Sequence, residues 1–166
     1  LLGGGVYQVY VQSVCDTDTS NWVGPVSFTM PLSNDSTCDA IDLTVDGFEY
    51  YFDNGGATTQ TGEGVVTPPA TGSQTTDGWD NTSINFTTWF TFTAPASGQV
   101  RFDATNASFD GQFAVYEVTD CSDFNTFTLL GANDDAIPGG SNAPNFTICG
   151  LTPVSYTHLR AHETAT

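Results

Sequence analysis

Short runs in which apolar and polar residues alternate, each closed off by glycine, proline or a cluster of asparagine and aspartate, constrain this chain more than any other feature. In Gln99-Val100-Arg101-Phe102-Asp103-Ala104 the apolar Val100, Phe102 and Ala104 alternate with Arg101 and Asp103, and Trp89-Phe90-Thr91-Phe92-Thr93 repeats the pattern with Phe90 and Phe92 as the core pair. Successive side chains of a strand point to opposite faces, so such runs make strands with one face in the core and the other in water. No window of a dozen residues places apolar positions at helical spacing, and 17 glycines and 8 prolines interrupt the 166 residues. The expected fold class is all-β, an antiparallel β-sandwich of jelly-roll-like form with very little helix.

Strands are expected at Val6–Val14 and Gly24–Met30, and then, after the turn-rich junction Pro31–Cys38, at Ala40–Val45, Phe48–Phe52, Thr87–Thr93, Gln99–Thr105, Gln112–Val118, Phe127–Ala132 and Asn145–Gly150. Seven strands in one run build a sandwich, whereas two strands alone cannot make a stable domain. Between Gly55 and Ser83 lies a stretch rich in glycine, threonine and proline with Trp79 inside it. That is too long for a hairpin connection, and it reads either as a functional surface loop or as disorder.

Charge excludes two classes of partner. Nineteen acids face two basic residues, lysine is absent, and the formal net charge is -17. Such a chain repels phosphate backbones and anionic lipid surfaces, so neither nucleic acid nor a membrane surface is an expected partner. No apolar run of 18 or more residues is present, so membrane insertion is not expected either. Solubility in a salty exterior, or cation binding, remains. The four cysteines Cys15, Cys38, Cys121 and Cys149 lack the paired spacing of a zinc site and are read as disulfide-forming. Four cysteines allow three pairings, which spacing does not choose among. An oxidising, extracellular or cell-surface setting follows.

The last residues depart from this composition. Val154-Ser155-Tyr156-Thr157-His158-Leu159-Arg160-Ala161-His162-Glu163-Thr164 holds both histidines and one of the two arginines. It resembles, residue for residue, one reading frame of a transposase-type adapter used to prepare sequencing libraries, with Ala165-Thr166 as the start of an index. Residues 154–166 are therefore set outside the fold, as a fusion scar would be. The alternative is a basic C-terminal strand. Without this tail Arg101 is the only base, and the net charge is unchanged because one acid leaves with one arginine.

Two resemblances organise the remainder. Tyr7-x-Val9-x-Val11 with Cys15, followed by Ser20-Asn21-Trp22-Val23-Gly24-Pro25-Val26-Ser27-Phe28-Thr29, resembles the last two strands of a fibronectin type III domain from a secreted bacterial multidomain protein. It implies a domain fragment over residues 1–30, with earlier strands missing and Tyr7 at the tyrosine corner. Trp89-Phe90-x-Phe92-Thr93-Ala94-Pro95-Ala96-Ser97-Gly98-Gln99-Val100, Ser108-Phe109-Asp110 through Ala114-Val115-Tyr116, Gly131-Ala132-Asn133-Asp134-Asp135 and Gly150-Leu151-Thr152-Pro153 together resemble a bacterial pre-peptidase C-terminal type domain. That resemblance spans residues 31–153. It implies a jelly-roll-like sandwich carried by secreted enzymes and adhesins as a module that does no chemistry itself. Members normally continue beyond this point, so the sandwich is expected to be truncated at its C-terminal end, without its final one or two strands. An open sheet edge would then leave the chain prone to association.

Asn133-Asp134-Asp135 follows one expected strand, and Asp110 opens another that pairs with it or neighbours it. Clustered carboxylates repel unless a cation or donors offset them, and calcium takes six to eight oxygens, so Asp110, Asn133, Asp134 and Asp135 are the candidate metal ligands and calcium the candidate cofactor. The same residues also suit Asx turns bonded to their own backbone. Trp79, set among Asp77, Gly78 and Asp80, together with Tyr50, Tyr51 and Phe48, offers a stacking platform for sugar rings. Catalysis is not expected. No histidine or lysine stands outside the tail, which removes the common nucleophile pairs, and Glu49, Glu63 and Glu117 are the only glutamates there. The function expected from these residues is a non-catalytic, calcium-stabilised accessory or adhesion module of a secreted or cell-surface protein. Its partners would be neighbouring domains of the parent and extracellular polysaccharide or surface protein. The alternative is a carbohydrate-binding module that targets an attached enzyme.

Overall fold

The computed structural model describes residues 5–47, 49–80, 82–136 and 142–153, together with the backbone of 156–163. The strands among them are β1 (Val6–Val11), β2 (Val14–Cys15), β3 (Asp18–Thr19), β4 (Val23–Thr29), β5 (Ile41–Leu43), β6 (Thr88–Thr93), β7 (Val100–Asp103), β8 (Gly111–Val118), β9 (Phe127–Asn133), β10 (Asn145–Ile148) and β11 (Tyr156–Glu163). Among the described residues helical geometry is confined to short 3-10 turns, Thr37–Asp39, Glu63–Val66 and Phe124–Thr126. The fold class is all-β and sandwich-like, as the alternating runs predict. No helix among the described residues is long and apolar enough to cross a membrane.

A five-stranded sheet in the order β5-β6-β11-β8-β9 forms one layer, and the antiparallel pair β7 with β10 forms a second. Between them lies a core of Phe90, Phe92 and Val115 from the large sheet and Val100, Phe102, Phe146 and Ile148 from the pair. Phe92 meets Phe102 edge-on at 5.4 Å, and Phe102 stacks on Phe146 at 5.3 Å. Each fully buried Val, Ile or Phe in such a layer contributes about 1.5–3 kcal/mol from the apolar area removed from water. In β7 the alternation holds, with Val100 and Phe102 buried and Arg101 and Asp103 exposed.

The opposite face of the large sheet is also covered, which sequence alternation does not predict for β6 and β8. Trp89, Ala114, Tyr116, Val118 and Ala132 on that face pack with Val66 and Trp79, which come from the long connection before β6. That connection is neither an open loop nor disorder where it is described. Isolated bridges join Ala70 to Trp79 and Asp77 to Ala132, and the backbone N–H of Ala132 donates to Thr76 O at 3.0 Å. Gly78 is required there, because a Cβ at that position would collide with Pro69 O and Thr71 Oγ1.

Three expectations need correction. β5 runs parallel to β6, with Ile41 opposite Phe90, so the sandwich is not wholly antiparallel. The reason is the long crossover between them, which brings the chain back in the same direction as a parallel pair requires. Residues 49–52 form no strand, and Phe48 lies outside the described residues. The tail set outside the fold instead lends its backbone to the sheet. β11 pairs antiparallel with β6 on one side and β8 on the other. Two strand edges separated by one strand's width present main-chain donors and acceptors to any extended segment, and main-chain pairing is largely indifferent to side-chain identity. The open edge expected at this place is therefore closed by 156–163.

β1 and β4 form a separate antiparallel pair, with Tyr7 stacked on Phe28 at 5.7 Å, Val9 opposite Val26 and Val11 opposite Val23. Both strands are nevertheless largely exposed. One pair of strands has too little apolar surface to bury itself.

Candidate metal centre

Antiparallel pairing of β8 with β9 sets Phe113 opposite Asn133, so the residues just before β8 and just after β9 emerge side by side. Asp110, Asp134 and Asp135 occupy those positions, and each brings a carboxylate oxygen to within 4.8 Å of the other two. The juxtaposition predicted from the two runs is present. Its cause is register: a one-residue slip would carry one partner to the other face of the sheet.

Asp134 is the buried member, and its Oδ2 accepts from the backbone N–H of Asp80 at 2.8 Å and from Gln112 Nε2 at 2.9 Å. Gln112 is wholly buried, and its Oε1 has no hydrogen-bond partner among the described residues. Burial pushes the Asp134 carboxyl above its ordinary value, and the charges of Asp110 and Asp135 push the same way, while the bonds from Gln112 and Asp80 oppose them. A raised carboxylate in the folded state means that the native protein binds the proton more tightly than the unfolded chain. The contribution to stability is present below the unfolded value and is lost as pH rises through the folded one. In metal-free buffer at neutral pH, Asp134→Asn keeps both acceptor contacts and removes the charge, so it is expected to melt a few degrees above the parent, the gap closing as pH falls below the carboxylate range. Thermal melts of both proteins across pH in chelator check this.

Asn133 is tied into the scaffold of the site. Its Nδ2 donates to Thr75 O at 2.8 Å, and its Oδ1 accepts from the backbone N–H of Asn145 at 2.9 Å. The side chain is fully buried, and its amide ties the 73–76 segment and the start of β10 to the end of β9. Both ends of its amide are thus engaged, which makes this candidate ligand a clamp between the three segments. Asp135 is held through its backbone, whose N–H donates to Ser73 O at 2.8 Å. The Ile137–Gly140 turn expected beside it lies outside the described residues. Arg101, the one arginine before the tail, is engaged elsewhere, donating to Asp103 Oδ2 at 2.7 Å and to Asn145 Oδ1 at 3.1 Å. Burial raises the Asp103 carboxyl, but the hydroxyl and N–H of Thr105, with Arg101, together hold it below its ordinary value.

The aromatic candidates separate. Trp79 has no exposed surface and its Nε1 donates to Phe113 O at 2.9 Å, so it cannot present a face to a sugar. Flanking aspartates and glycine made it read as a loop residue; the fold turns it inward because an indole ring is the largest apolar surface available to cover β8. Tyr50 and Phe52 are 43% and 44% exposed and stack at 6.3 Å with 12° between their planes. Phe52 is anchored on Phe90 at 4.4 Å. Tyr51 is 84% exposed and donates its hydroxyl to Glu49 Oε2 at 2.6 Å, a bond that holds the phenol above its ordinary pKa. Phe52 was missed by sequence reading, although its spacing of two from Tyr50 is the signal for a shared side.

A cleft of about 260 Å³ opens among Val65, Val66, Thr67, Tyr116, Phe124, Asn125, Phe127 and Leu129, with no acid or base among these residues. Cys38 and Cys121 form a disulfide across 83 residues, while Cys15 and Cys149 are free and exposed. Comparison of the chain with protein-family profiles, with curated proteins and with solved structures finds no match. The functional reading therefore stands on the residues themselves.

Proposed function

We propose that this chain is a non-catalytic accessory or adhesion module of a secreted or cell-surface protein, stabilised by a calcium ion held by Asp110, Asp134 and Asp135. On this reading residues 31–153 are a pre-peptidase C-terminal type sandwich and residues 1–30 the end of a fibronectin type III domain. The observation that carries the proposal is the convergence of three carboxylates at one strand end, with the middle one buried. Hard-cation chemistry fits these donors: carboxylates bind calcium through one or both oxygens, and backbone carbonyls or water complete a set of six to eight. The Oε1 of Gln112, buried beside Asp134, is a further neutral oxygen of the kind such sites use. A bound dication would also reverse the electrostatic cost of burying the Asp134 charge. The disulfide is compatible with an oxidising exterior.

Calcium at a hundredfold excess over its Kd is expected to raise Tm by on the order of 10 °C, the equivalent of about 2.7 kcal/mol. Chelator should reverse the shift, and Asp134→Asn should abolish it. A chain that melts at the same temperature in millimolar calcium and in chelator holds no ion in its native state, and the metal reading fails. The second reading, a carbohydrate-binding module, draws support from the exposed Tyr50 and Phe52 pair beside Tyr51. Flat apolar rings in that arrangement suit the faces of sugar rings. Retention of the protein on insoluble polysaccharide should fall when Tyr50 and Tyr51 are both changed to alanine, and unchanged retention removes the second reading.

A further inference from the structure

Residues 73–80 lie as a strap along the outer edge of β9, the last strand of the five-stranded sheet. The backbone N–H of Ala132 donates to Thr76 O at 3.0 Å, and that of Asp135 donates to Ser73 O at 2.8 Å. Between these bonds Asn133 Nδ2 donates to Thr75 O at 2.8 Å, and the backbone N–H of Asp80 meets Asp134 Oδ2 at 2.8 Å. The strap is therefore held by the consecutive residues Ala132, Asn133, Asp134 and Asp135, and the last two belong to the carboxylate cluster. Trp79, in the strap itself, is wholly buried in the core over β8. The strap also adds Asp77 and Asp80 to a strand end that already carries three acids. Like charges so close are relieved by moving apart or by a cation set between them. Moving Asp134 or Asp135 withdraws the acceptor from the Asp80 N–H, or the donor from Ser73 O, and so unfastens the strap. A cation removes the reason to move. The carboxamide of Gln112, wholly buried against Asp134 and with Oε1 unpartnered among the described residues, adds a neutral oxygen at the same place.

We propose that the carboxylate cluster is a calcium-dependent latch, an inference that rests on the calcium reading: the ion at Asp110, Asp134 and Asp135 fixes the 73–80 strap on β9, and without it the strap opens locally far more often than the rest of the sandwich. Opening bares the main-chain edge of β9 and the indole of Trp79, the two surfaces engaged when the strap is closed. Coupling of this kind is reciprocal, so a change that holds the strap open must weaken ion binding.

The test uses the full chain with calcium chloride and a chelator. Calorimetry shows first whether calcium binds; if it does not, the calcium reading fails and the latch fails with it. Amide hydrogen exchange is then followed residue by residue in chelator and in saturating calcium. In chelator the N–H groups of Asp80, Ala132 and Asp135 should exchange at least about tenfold faster, relative to their intrinsic rates, than the bonded N–H groups of the β7 and β10 pair. In calcium that gap should close. Equal exchange of the two groups in chelator, or a gap that persists in saturating calcium, overturns the latch and leaves the ion reading standing. A second arm displaces the strap without touching a carboxylate. Gly78→Ala drives a Cβ into Pro69 O and Thr71 Oγ1, and should weaken calcium binding by about tenfold or more while the Cys38–Cys121 bridge and the β spectrum persist. Unchanged affinity in that folded variant also overturns the latch. The exchange experiment on the parent decides the matter even where the variant does not fold.

Discussion

Trp79→Ala is expected to lower stability by about 3 to 5 kcal/mol, the range for removing a buried tryptophan side chain from a packed core. The indole has no exposed surface and packs with Val66, Trp89, Ala114, Tyr116 and Ala132. Its Nε1 also satisfies Phe113 O in the middle of β8. Truncation would leave a cavity over the sheet and remove the indole's hydrogen bond to Phe113 O, and each adds to the loss. Urea denaturation should show the midpoint falling steeply. Trp79→Phe, which keeps most of the apolar volume but loses the N–H, should fall between parent and alanine variant. The effect should reach the acidic cluster, because Asp80, the next residue, donates its backbone N–H to Asp134. The folded fraction of Trp79→Ala should therefore bind calcium more weakly. A surface Trp79 would behave otherwise, with stability within about 0.5 kcal/mol of the parent.

Removing the Cys38–Cys121 bridge should have an effect of similar size. It closes a loop of 83 residues in sequence separation, and the loss of that constraint on the unfolded chain is worth about 4.5 kcal/mol in the chain-entropy description. The bridge joins the 3-10 turn before β5 to the turn after β8, beside the bond from Thr37 Oγ1 to Cys121 O at 2.6 Å. That hydrogen bond alone contributes about 1 kcal/mol and cannot replace the covalent constraint. Cys38→Ala with Cys121→Ala, or the parent in strong reductant, is expected to melt well below the oxidised parent. Cys15→Ala and Cys149→Ala, at exposed free cysteines, should each stay within about 0.5 kcal/mol of it. Equal melting of oxidised and reduced parent would show that the bridge adds nothing to stability.

Particular residues show how far pattern alone reaches. Phe90, Phe92, Val100 and Phe102 were assigned to the core from alternation, and all four are buried. Alternation works there because a strand's side-chain period is a property of the backbone and survives any packing. The approach of Asp110 to Asp134 and Asp135 was likewise foreseeable once their two strands were taken as neighbours. Asn133 shows the limit. Beside two aspartates it carries the same oxygen chemistry, but its amide is consumed by Thr75 and Asn145, residues 58 and 12 positions away. Trp79 shows another limit, since its flanking residues describe a turn while its burial depends on a sheet face that no local pattern reveals.

Strand-forming runs, the lack of helical spacing, the acidic balance and the carboxylates at two strand ends follow from residue identity and short-range geometry, and these alone dictate a strongly acidic, all-β chain. Which sheet each strand joins, the parallel course of β5, the pairing of Cys38 with Cys121 and the burial of Trp79 were decided by tertiary packing. The physical reason is that strand pairing and side-chain burial are settled between segments far apart in sequence, by competition for the same main-chain edges and the same apolar faces. Nowhere is that plainer than between β6 and β8, whose main-chain edges are both paired by a segment from much later in the chain.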